Sequence, residues 1–135
     1  MKIITTLPAG APLIDRVVDV IEHNPEASLQ SSWAERATDN TNMRVSADNF
    51  PCGTTACFAG WTVLLAGYKI EFLEGSTTAD YTSDGRSISD LARSLLRLDY
   101  MQTERLFYET GDLAEIRNTV AEIKAEKATL AKFEE

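Results

Sequence analysis

Apolar residues recur at helical spacing over most of the chain, alternate with polar ones in one short segment, and run unbroken through another. From Pro12, residues Leu13, Ile14, Val17, Val18 and Ile21 share one helical face, while Asp15, Arg16, Asp19 and Glu22 occupy the other. This spacing predicts an amphipathic helix. Pro12 suits its first turn, and Asn24-Pro25 ends it, because the residue before a proline is driven out of the helical region. A second helix is predicted from Ile88, Leu91, Leu95 and Leu98, with Ser87 as N-cap and Asp90 in the first turn. A short third helix carries Met101, Leu106 and Phe107 and closes at Gly111. Asp112 and Glu115 open the last helix in the manner of a capping box, and Leu113, Ile116, Val120, Ile123 and Leu130 form its stripe, interrupted by Lys127.

Tyr68, Ile70 and Phe72 alternate with Lys69 and Glu71, and Ser83-Asp84-Gly85 supplies a turn before Arg86. Two short strands forming a small hairpin are expected. The preceding region, from Glu26 to Phe50, is polar and lacks a sustained period, with Trp33 as its large anchor. It reads as loop with a short helical turn over Ser31 to Arg36.

The central run "PCGTTACFAGWTVLLAGY", residues 51–68, differs from the rest. Residues 54–66 present no polar face, Thr62 being the sole interruption, and Gly67 stands where a left-handed C-cap residue belongs. A helix buried all round is predicted, its length of roughly 20 Å too short for a bilayer core of about 30 Å. Gly60 inside it costs up to about 1 kcal/mol relative to alanine. Compensation is expected from close packing over Ala56 and Gly60, with Cys57 and Ala59 beside them, by another helix or by the Trp33 ring.

Together these elements predict a mainly α fold with a small β-hairpin (α+β). Residues 1–135 form one compact domain around the buried helix 54–66, with a C-terminal amphipathic helix whose end, 126–135, projects. Too few clean heptads are present for a sustained coiled coil, so that helix is expected to dock in cis, with pairing into a dimer as the alternative.

Charge narrows the function classes. Thirteen Lys plus Arg against 21 Asp plus Glu leave a formal net charge of −8, without segregation of the positive residues. That balance repels nucleic acid and anionic lipid. The opening "MKIITTLPAGAPLIDRV" is too short in its apolar part for a signal peptide, and no run approaches a membrane span. A cytoplasmic protein is expected, with no nucleic-acid or membrane partner.

Candidate chemistry centres on Cys52, Cys57 and His23. A zinc site would require two more ligands beyond the cysteines, and nothing repeats a zinc-module spacing, so neither metal nor cofactor is expected. Cys52 precedes the predicted buried helix by one glycine, where exposed amides and the positive helix end would favour a thiolate nucleophile. His23 is the one histidine available as a base. Its predicted place in the last turn of the first helix equally suits a cation at the negative helix end. A Cys52–Cys57 disulfide is disfavoured by compartment and by helical geometry.

The segments "NPEASLQSSW", "CGTTACFAGW" and "LARSLLRLD...RLFYETGDLAEIRNTVAEI" resemble a group of small proteins encoded by actinobacteria and their bacteriophages. The resemblance spans residues 13–125. Its sharpest element is Cys-Gly-Thr-x-x-Cys-x-Ala-Gly, met here by Cys52, Gly53, Thr54, Cys57, Ala59 and Gly60. It implies an origin rather than a mechanism: no catalytic residue or cofactor comes with it. The expected function is therefore a non-enzymatic, phage-encoded protein that binds a host or phage protein of basic or mixed surface. The surfaces first in view are Ser28 to Asn49 and the outer face of the last helix. Mimicry of nucleic acid is a subtype, weakened by the scatter of the acidic residues. The alternative is a small thiol-dependent enzyme with Cys52 as nucleophile and His23 as base.

Overall fold

The helix predicted from Pro12 is α1, Leu13–His23, with Pro12 as its N-cap and Asn24 as its C-cap. A computed structural model describes residues 2–39 and 41–134. After a single 3₁₀ turn at Pro25–Ala27 come β1 (Ala34–Glu35), β2 (Met43–Val45), β3 (Thr55–Ala56), α2 (Phe58–Leu65), β4 (Ile70–Phe72) and β5 (Thr78–Ala79). The chain continues as α3 (Ile88–Leu96) and α4 (Tyr100–Thr103), a π-helical turn at Glu104–Tyr108, and α5 (Leu113–Glu134). The α+β class read from the sequence is the class of the fold.

The strands form two small antiparallel sheets. β1 lies between β3 and β5, pairing Ala34 with Ala56 and with Ala79, while β2 pairs with β4, Met43 opposite Phe72 and Val45 opposite Ile70. The expected hairpin contact is an Ile70–Thr82 bridge with two backbone hydrogen bonds, from the Glu71 amide to the Tyr81 carbonyl (3.3 Å) and from the Ser83 amide to the Lys69 carbonyl (2.8 Å). The helical turn expected over Ser31 to Arg36 is absent: Ala34 and Glu35 are the central strand. A two-residue strand is too short to carry a period, and its conformation is imposed by the ladders on both sides.

The same ladder shortens the buried helix. Thr55 and Ala56 are extended against β1, and helix begins only at Phe58, not at residue 54. An all-apolar run does not by itself distinguish buried strand from buried helix. From Phe58 to Leu64 every residue is buried. Gly67 adopts the left-handed conformation expected after the helix (φ 98°), with Gly67 and Tyr68 donating back to the carbonyls of Leu64 and Val63.

α2 is the centre of the core, packed between α1 and α3. Its own Phe58 and Trp61 are buried together with Phe50, Ile70, Phe72 and Ile88, the Phe50 and Trp61 rings 4.6 Å apart. The close approach at Gly60 comes from the backbone carbonyl of Trp33 rather than its ring. A Cβ on Gly60 would overlap that oxygen and stand 3.0 Å from the Ala56 Cβ. The Trp33 carbonyl accepts from the Cys57 amide (3.2 Å), so the glycine lets β1 continue its hydrogen bonding onto the start of α2.

Asp19 departs from the polar face assigned to it. It is buried, and its carboxylate accepts from the Thr6 hydroxyl, the Thr6 amide (2.7 Å) and the Leu7 amide (3.3 Å). Asn24 repeats the pattern, accepting from the Ile4 amide and donating to the Ile4 carbonyl, both at 2.8 Å. The N-terminal segment is thereby strapped along α1.

α5 docks by its first half. Ile116, Val120 and Ile123 are buried, whereas Leu130 is 57% exposed. Lys124 pairs with Asp15 (2.8 Å), Arg117 with Glu22, and Arg105 with both Glu122 (3.0 Å) and Glu126 (2.7 Å). Lys127, which interrupts the apolar stripe, sends its ammonium to the Leu96 carbonyl at the end of α3 (2.6 Å), a favourable place for a cation. At the helix entry the Asp112 carboxylate accepts from the Glu115 amide (2.8 Å), but the Glu115 carboxylate takes the Gly111 amide (3.2 Å). Gly111 therefore belongs to the start of α5; the preceding helical turn already ends at Tyr108.

Candidate functional site

The thiol and the imidazole singled out in the sequence lie on separate elements, with no hydrogen bond between them among the described residues. Cys52 is exposed, as a free thiol in the turn before β3. Its expected place beside a helix N-terminus does not hold, because α2 starts at Phe58 and its N-cap is Cys57. Cys57 is buried, and desolvation pushes its thiol up to about 11 although the amides of Gly60 and Ala59 pull the other way. A thiol so placed is protonated and unreactive at neutral pH. His23 sits in the last turn of α1, with Nδ1 2.8 Å from the Asp19 carbonyl and 3.1 Å from its carboxylate.

A different place brings chemistry-bearing residues together. Trp33, at the entrance to β1, meets two rings of the π-helical turn: its centroid is 6.1 Å from Phe107 and 5.4 Å from Tyr108, both edge to face. These rings, with Gln30, Ser31, Ser32, Thr78 and Asp80, line an open depression of about 280 Å³. π-helical turns are rare and frequent at functional sites. Here the widened turn leaves Phe107 in the core and Tyr108 57% exposed.

A chain of hydrogen bonds holds the walls. The Gln30 carbonyl oxygen accepts from the Phe58 amide (2.7 Å), one of the orphan donors at the start of α2, which Cys57 does not cap with its own side chain. The Gln30 amide nitrogen donates to the Thr110 hydroxyl (2.9 Å), which in turn donates to the Leu106 carbonyl (2.8 Å). One side chain thus ties α2, the segment before β1 and the π-helical turn into a rigid bracket.

The electrostatics of the depression have one sign. No Lys, Arg or His among the described residues lines it. Among the described residues the Asp80 side chain is engaged by no hydrogen bond or ion pair; its backbone carbonyl takes the Ile88 amide (3.0 Å). Partial burial, then the negative charges of Glu104 and Asp90, push the Tyr108 phenol above its ordinary value. A phenol with negative charges near it, in a lining without cations among the described residues, favours a cationic guest over an anionic one.

Sequence reasoning reached Trp33 as the anchor of its loop, Phe107 as an apolar residue of a short helix and Gln30 only as part of the Ser28 to Asn49 surface, and missed Asp80 and Tyr108. Gln30, Asp80 and Tyr108 carried no local signal, since adjacent helical residues such as Leu106 and Phe107 can both be buried and the places of these three in the depression depend on partners far along the chain. Compared with known family models, curated proteins and solved structures, the chain matches none.

Proposed function

We propose that this chain is a non-enzymatic binding protein that engages a host or phage protein through the face containing Trp33, Tyr108 and Asp80. The observation that carries this reading is the aromatic depression whose lining includes Asp80, a carboxylate engaged by no partner among the described residues. Tyr and Trp supply large contact area at low entropic cost and are enriched at interfaces. The net charge of −8 supports a partner with a basic surface, because complementary charge steers encounter and fixes register. Part of the surface singled out in the sequence, Ser28 to Asn49, contributes Gln30, Ser31, Ser32 and Trp33. No described helix is long and apolar enough to cross a membrane.

The test is affinity purification from an actinobacterial host with wild type and Tyr108→Ala. Reproducible recovery of a specific protein by the wild type, lost in the variant, is the expected result. Repeated recovery of nothing specific by the wild type overturns the reading. Cys52→Ser should capture the same partner as the wild type, whereas loss of the biological effect in that variant would return a thiol mechanism to the front.

A further inference from the structure

We infer that the depression between Trp33, Tyr108 and Asp80 is a receptor for an arginine side chain presented by the partner protein. This inference rests on the binding reading above and names the chemistry of its central contact. The volume, about 280 Å³, lies just below the ~300–1,000 Å³ of small-molecule pockets, which suits one inserted side chain. The rings provide π-surface that attracts a cation. Asp80 is an exposed residue of the lining whose carboxylate no protein group engages among the described residues, and Ser31, Ser32 and Thr78 line the same depression.

Arginine fits this combination better than lysine for a geometric reason. A guanidinium is planar, so it stacks on an aromatic face while its edge donates two parallel hydrogen bonds to a carboxylate. An ammonium is a compact, strongly hydrated point charge and surrenders more hydration to enter the same space. An anion is opposed by Asp80 in the wall and by the nearby charges of Asp90 and Glu104. The bracket formed by Gln30 and Thr110 fixes the ring positions beforehand, which limits the ordering cost of a small contact.

The probe is a blocked Gly-Gly-Arg-Gly-Gly peptide, titrated into the full chain while the indole N–H resonances of Trp33 and Trp61 are followed by NMR. The Trp33 resonance should shift, with the buried Trp61 resonance unchanged as a control of the fold. The citrulline peptide, isosteric but neutral, should bind at least about tenfold more weakly, and the lysine peptide several-fold more weakly. Asp80→Asn should weaken arginine binding about tenfold while leaving the Trp61 resonance in place. A Trp33 resonance that the arginine peptide does not move, equal binding of the citrulline or lysine peptide, or wild-type affinity in Asp80→Asn would each overturn the inference. The two readings separate cleanly. A specific partner captured equally by wild type and Asp80→Asn overturns the arginine receptor and leaves the binding function; a positive titration with no captured partner overturns the binding function and with it the partner-presented arginine, leaving a guanidinium site alone.

Discussion

Among the glycines, Gly60 is the one at which an added side chain meets the tightest surroundings. A methyl group there would overlap the Trp33 backbone carbonyl, and backbone held between two strands cannot swing away as a flexible side chain can. Gly60→Ala should therefore destabilise the fold by about 3 kcal/mol, the upper end of overpacking costs, read as a lowered urea midpoint. Gly10→Ala, where an added Cβ meets nothing within 4 Å, should stay within about 0.5 kcal/mol of wild type. Equal midpoints for the two variants would sink the packing argument. The cysteines give a second contrast. Exposed Cys52 should react with a disulfide reagent in the native state, whereas Cys57, buried with its thiol pushed up to about 11, should react only on unfolding. Fast titration of both thiols in native protein would contradict that placement.

At the scale of elements, stability concentrates where one segment completes another. The N-terminal strap is held to α1 by Asp19, whose burial works to raise its carboxyl but is outweighed by hydrogen bonds from Thr6 and Leu7 and by the charge of His23, leaving it below its ordinary value of 3.8. A carboxyl depressed in the folded state contributes stability that is present above the ordinary value and is lost as pH falls through the lowered one. The Thr6 and Leu7 amide resonances should therefore change below pH 3.8, and this pH dependence should be absent in Asp19→Asn. Amides that hold their positions until global unfolding would show that the strap is anchored elsewhere. Gln30 performs the corresponding task at the start of α2. Gln30→Ala leaves the Phe58 amide without its partner and should cost about 1–3 kcal/mol in thermal or urea unfolding. It should also weaken the arginine probe, since the position of the π-helical turn depends on the same side chain.

On the scale of the whole molecule, the net charge of −8 and the one-signed depression act over different distances. Long-range attraction sets the rate of encounter and is screened beyond about 8 Å at physiological ionic strength. The short contacts at Trp33, Tyr108 and Asp80 set how long a complex lasts. Association with a captured partner should accordingly slow as salt rises, whereas Tyr108→Ala should mainly speed dissociation. Surface-binding kinetics at several salt concentrations distinguish the two effects, and an association rate indifferent to salt would remove charge from the account.

Much of the helical architecture was determined locally. The apolar spacing of Leu13 to Ile21, Ile88 to Leu95 and Ile116 to Ile123 marks faces that have to be buried, and Ser87 caps α3 as its position requires, taking the Asp90 amide. The unbroken run after Cys57 likewise announces the centre of the core. Tertiary structure decided what no local period encodes. Thr55 and Ala56 became strand because Ala34 and Glu35 lie alongside them. Asp19 became a buried anchor because the N-terminal strap satisfies it. The candidate site joins Gln30 to Thr110, 80 positions apart, and its carboxylate comes from the end of a third segment. Periodicity reports the face an element hides, because that face repeats along the chain; it is silent on which distant partner supplies a hydrogen bond, because that partner is chosen only when the elements pack.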